Sequence, residues 1–156
     1  ATYSPGFRLF GSSLLALNAK TGEIIWAHQT TARDLWDYDC TWNGALTTTM
    51  VKGQMKKVFL KGCKNGIVYV FDAATGEALH ILEPPSLRRT PNAQLLNPRS
   101  KEDMTKPWQH YPSTTPVWQN CPGTGCLESD LAFDPERNMI FFATYNAPGL
   151  LQKQRK

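Results

Sequence analysis

The chain has 156 residues, 41% of them apolar, with a formal charge of +4. That suits one domain with a real core, and the scattered basic residues form no stripe of the kind a nucleic-acid partner needs. No apolar run approaches the roughly 18 residues of a membrane span, and no charged-then-apolar leader opens the chain, so a signal peptide is not expected within it.

In chain order, the first unit is "ALNAKTGEIIW" (Ala16 to Trp26). Two apolar runs flank a Thr-Gly-Glu turn, which predicts two strands with Gly22 supplying a positive φ. "DLWDYDC" follows, with carboxylates at Asp34, Asp37 and Asp39 set among Trp36 and Tyr38. "ALTTTMV" (Ala45 to Val51) and "KKVFLKG" (Lys56 to Gly62) flank a turn at Gly53. "CKNG" (Cys63 to Gly66) carries Asn-Gly, a hairpin signal. "VFDAATGEALH" (Val70 to His80) then repeats the first unit around Gly76. Residues 83–128 hold eight of the eleven prolines and read as a long connection. "SDLAFD" and "NMIFFATY" flank "PER" as a last hairpin. No segment shows a sustained helical period.

Repeated antiparallel four-strand units predict an all-β fold, an incomplete β-propeller with one whole blade between two partial ones. Residues 1–156 then form a single partial propeller domain. Residues 1–27 supply the outer part of a blade, 45–82 a whole blade, 83–128 the proline-rich connection, and 129–146 the inner hairpin of the next blade. A closed propeller needs at least about four blades, so further blades are expected from other segments or chains.

Strand parity places the polar motifs. With strands alternating in direction, "DLWDYDC" enters the innermost strand of the whole blade, and "CKNG" turns on the same face. Asp37, Asp39 and Lys64 are therefore expected to converge near the propeller axis, where a metal or polar ligand would sit. The bland alternative makes the acids turn caps and Lys64 a solvated turn residue. The four cysteines, Cys40, Cys63, Cys121 and Cys126, include no C-x-x-C pair, which argues against zinc. Cys40 and Cys63 fall on neighbouring strands about 4.8 Å apart, within reach of a disulfide. Cys121 with Cys126 would close a separate small loop, and four buried thiols are the alternative. His28, His80 and His110 are isolated from one another in sequence, Trp26 and Trp36 read as packing between blades, and the basic tail reads as a solvated end.

"LLALNAKTGEIIWAHQTTARDLWDYD" followed by "KKVFLKGCKNGIVYVFDAATGE" resembles the pyrroloquinoline quinone (PQQ) dependent alcohol dehydrogenases, whose eight-bladed propeller carries an Ala-x-Asp-x-x-x-Gly-x-x-x-Trp signature. Ala16, Gly22 and Trp26 match that signature, with Asn18 in place of Asp. The second copy keeps Asp72 and Gly76 but has Val70 and His80 at its ends. The resemblance implies that Asp37, in "WDY", is the catalytic base and that Lys64, before "NG", contacts the quinone. It implies a calcium or lanthanide ion held by Asp37 and Asp39, the Asp of "WDYD" matching the lanthanide-dependent members. It further implies a primary alcohol substrate, an electron acceptor such as a cytochrome c, and a periplasmic or otherwise extracytoplasmic site of action. The family's vicinal cysteine pair and the metal ligands from its earlier blades are not in this sequence. That keeps two other readings in play: a non-catalytic PQQ-repeat scaffold or binding module, and an inactive piece.

Overall fold

A computed structural model describes residues 10–31, 38–40, 42–83, 117–120, 126–144 and 148–151. Ten strands are described: β1 (Ser13–Leu17), β2 (Ile24–Gln29), β3 (Gly44–Val51), β4 (Gln54–Gly62), β5 (Val68–Asp72), β6 (Ala78–Leu82), β7 (Val117–Asn120), β8 (Leu131–Asp134), β9 (Met139–Phe142) and β10 (Pro148–Leu151). Strands β3 to β6 form one antiparallel sheet in chain order, β1 pairs with β2, and β8 pairs with β9. This is the all-β blade architecture expected from the repeats.

The middle sheet is buried on both faces because its two central strands are apolar on both. Val58 and Leu60 on β4 and Val70 on β5 form one cluster with Val51 and with Leu131 of β8, against which Phe133, Ile140 and Phe142 pack. Tyr69 and Phe71 point the other way and join Cys63 and Ile67, with Leu14 of β1 packed against them. His28 of β2 lies on that face too, its ring centroid 4.8 Å from that of Phe71. The continuous apolar run "IVYVF" is thus a strand between two neighbouring sheets, where alternation has no solvent side to mark.

The repeated turns are one structure. Asn18 Oδ1 accepts the N–H groups of Lys20 and Thr21, and Asp72 Oδ1 accepts those of Ala74 and Thr75. The Gly four residues after each cap then turns left-handed, with φ of 75° at Gly22 and 71° at Gly76. Asp134 begins a third copy, accepting from Glu136 and Arg137, with Asn138 at φ 52° in the glycine position. Asn tolerates that conformation better than most residues. The first two copies also share a register shift one residue into the returning strand, at Ile25 and Leu79.

Trp26 joins two blades. Its Nε1–H donates to the Ala73 carbonyl at 3.0 Å. Its indole lies so close over Gly76 that a Cβ there would stand 2.5 Å from the ring. Within the segment taken as a connection, β7 pairs antiparallel with β10. The partners are about thirty residues apart, so no local period announces them.

Candidate functional site

The site grows from one turn. Gly66 N–H donates to the Cys63 carbonyl at 2.8 Å, and Cys63 N–H to Ile67 at 3.0 Å. Three residues, Lys64, Asn65 and Gly66, therefore form the loop between the bonded Cys63 and Ile67, with Gly66 at φ 81°, the arrangement of a hairpin closed by a left-handed glycine. Asn65 is buried and fully engaged. Its amide donates to the Thr30 carbonyl at 3.3 Å and to Tyr69 Oη at 2.9 Å, and its Oδ1 accepts Ile67 N–H at 3.1 Å. That fixes the turn against the end of β2 and its own hairpin, and so fixes where Lys64 starts.

Lys64 is clasped by two other segments. Its N–H donates to the Asp39 carbonyl at 3.0 Å, and its carbonyl accepts Cys126 N–H at 2.8 Å. Its side chain, 7% exposed, repeats the pattern: Nζ lies 3.1 Å from Asp39 Oδ2 and 3.4 Å from Glu128 Oε1. The Trp42 ring centroid is 5.4 Å from the same nitrogen, within cation–π range. Cys40 and Cys63, the residues flanking Asp39 and Lys64, form a disulfide with Cα atoms 4.4 Å apart, as the strand argument predicts. Thr30 Oγ1 lies 3.3 Å from the Cys40 sulfur. Cys126 is also disulfide-bonded; Cys121, the partner expected for it, lies outside the described residues.

Of the residues singled out in the sequence, Asp39 and Lys64 are brought together. Asp37, the expected base and metal ligand, lies outside the described residues, as do Asp34 and Trp36. Among the described residues no group of three His, Cys, Asp or Glu side chains is placed to hold a metal. Asp39 nonetheless offers a hard carboxylate with its side chain 40% exposed, the donor chemistry a calcium or lanthanide ion prefers. The ammonium of Lys64 suits a carboxylate or carbonyl oxygen. These two side chains have the chemistry such a ligand needs, a hard oxygen donor beside a cation.

Glu128 and Trp42 were not legible as site residues. "CLES" carries no motif, and Glu128 is brought in by the Cys126–Lys64 main-chain bond and by Leu127. Leu127 is fully buried and sits against Gly62 so closely that a Cβ there would lie 2.9 Å from it. A second lysine, Lys61, is also buried and donates to the Asn43 carbonyl at 3.0 Å. Burial pushes its pKa down, against a partial opposing pull from Asp130.

The family model for the PQQ-containing glucose/ethanol/alcohol dehydrogenase β-propeller domain matches residues 2–119. A quinohemoprotein alcohol dehydrogenase of Pseudomonas putida is 47% identical over 74 residues, 47% of this chain and 10% of that protein. The dehydrogenase subunit of the quinone alcohol dehydrogenase of Acetobacter aceti is 30% identical over 145 residues, 92% of this chain and 19% of that subunit. Among solved structures, a quinohemoprotein alcohol dehydrogenase from Pseudomonas putida HK5 superposes with a TM-score of 0.74 at 24% identity, covering 94% of this chain and 22% of that one. A europium-containing methanol dehydrogenase gives 0.64 at 24% identity, covering 86% and 23%. The structures establish likeness of fold. The chain spans about a fifth or less of the length of the two curated relatives.

Proposed function

The chain belongs to the PQQ-dependent glucose/ethanol/alcohol dehydrogenase β-propeller family, and we propose that it supplies part of the active site of a periplasmic alcohol dehydrogenase. The observation that carries this reading is the clasp of Lys64 by Asp39 across two segments of the propeller. A lysine carried on a surface turn merely for solubility needs no such burial.

In this reading PQQ would supply the two-electron oxidising chemistry for a primary alcohol, and a calcium or lanthanide ion would supply Lewis acidity beside it. Asp37 accepts the alcohol proton as general base. Asp37 and Asp39 hold the cation with carboxylate oxygens, the second acid adding charge that suits a trivalent ion. The Lys64 ammonium would donate to a quinone oxygen and offset negative charge that develops there. The disulfide and the Asn65 bonds keep that lysine from drifting, so little ordering remains to be done when the ligand arrives. Electrons would leave to an acceptor such as a cytochrome c; a relative from Thauera butanivorans is named as a cytochrome c 1-butanol dehydrogenase.

The test is reconstitution of the full-length protein with PQQ and either calcium or lanthanum, followed by gel filtration. Near-ultraviolet quinone absorbance should travel with the protein and require Lys64. Protein that emerges free of quinone under every ion would sink the reading and favour the scaffold role.

A further inference from the structure

We infer that Glu128 is a charge-setting partner of Lys64, one that weakens the lysine's grip on an anionic ligand. The inference rests on the cofactor reading above and adds a residue to that site.

Three observations support it. Glu128 Oε1 stands 3.4 Å from Lys64 Nζ, on a side chain 28% exposed, so solvent screens the pair only in part. Its place is built. Cys126 N–H holds the Lys64 carbonyl at 2.8 Å, and Leu127 is fully buried against Gly62, so the segment carrying Glu128 is anchored both to the turn and to the end of β4. Finally, Lys64 does not depend on Glu128 for its position. The Asp39 main chain and side chain, the Asn65 bonds and the Cys40–Cys63 bridge already fix it.

What Glu128 adds is therefore charge. Lys64 with Asp39 is neutral as a pair; with Glu128 the cluster carries a net charge of about −1 at neutral pH. A polycarboxylate quinone approaching Lys64 meets a cation already offset twice. Glu128 thus sets how readily that ligand is held and released.

PQQ binding to the cofactor-free full-length protein, followed by quenching of tryptophan fluorescence in low salt, tests this. Glu128→Gln keeps the shape and the acceptor, and should bind PQQ roughly fivefold more tightly than the parent. Glu128→Ala, which removes the contact altogether, should tighten binding as well, because charge rather than packing is what is removed. Added salt should narrow both gaps. Unchanged or weaker binding in Glu128→Gln overturns the inference, and so does weaker binding in Glu128→Ala, which would make Glu128 a support. Lys64→Met separates the two levels. If it binds PQQ as the parent does, the cofactor reading fails and Glu128 falls with it. If it loses affinity while Glu128→Gln gains none, only the role of Glu128 is refuted.

Discussion

At the scale of single residues, two glycines with one backbone conformation carry different burdens. Gly22 and Gly76 sit at φ 75° and 71°, but a Cβ meets nothing at Gly22 and the Trp26 ring at Gly76. Gly22→Ala should therefore cost about 1 kcal/mol for the left-handed backbone alone. Gly76→Ala should cost about 2–4 kcal/mol, since the indole must also give way. Urea unfolding of the two variants measures the difference, which belongs to the Trp26 contact. Asp39 makes the second residue-scale prediction. Asp39→Ala removes a hard oxygen donor, so lanthanum-supported activity of the full-length enzyme should fall roughly tenfold further than calcium-supported activity. Equal losses with both ions would count against a lanthanide site. Asp39 and Lys64 were readable because each sits in a short motif; Glu128 was not, because its neighbours reach the site by main-chain bonds that leave no pattern in the sequence.

At the scale of elements, the three capped turns show what a sequence repeat records and what it omits. Asn18 and Asp72 perform the same capping, but only Asp72 carries charge. The Ala74 N–H, with that of Thr75 and the Lys56 ammonium, holds its carboxyl below its ordinary value of 3.8. A depressed carboxyl contributes stability that is complete above the unfolded value and is lost as pH falls through the folded one. Asp72→Asn should keep the turn, as Asn18 demonstrates, while flattening the loss of stability below about pH 4. Thermal melts of parent and variant between pH 3 and 6 check this; parallel curves would contradict it. The third copy, at Asp134, is not visible as a repeat because Asn138 stands in place of glycine and "PER" in place of the residues before it. The backbone was preserved while the letters changed. The pairing of β7 with β10 has the opposite character: it depends on contacts distant in sequence, which no window reads.

At the scale of the whole molecule, the polar contacts between sheets bear on which parts open together. Asn138 reaches back to β3, with its amide donating to Met50 O at 3.3 Å and its Oδ1 meeting Thr49 Oγ1. Asn138→Gly suits the left-handed turn but removes both contacts. Amides of β9 should then exchange faster with solvent, by about tenfold, while those of β4 and β5 stay protected. Equal acceleration in all three strands would mean that the sheets open as one body. The blade order could be read from the sequence because each hairpin is local. How the blades meet could not, since Asn43 contacts Asp130 and Leu131 across more than eighty residues. The Cys40–Cys63 bridge has a mechanical meaning as well. A pull on the two chain ends passes through the sulfurs and bypasses β3 and β4 altogether. The segment between the cysteines, which stand 23 positions apart in sequence, would add nothing to the stretched length. A reductant should release roughly 80 Å of hidden chain, and it would do so by loosening the joint that holds Asp39 beside Lys64.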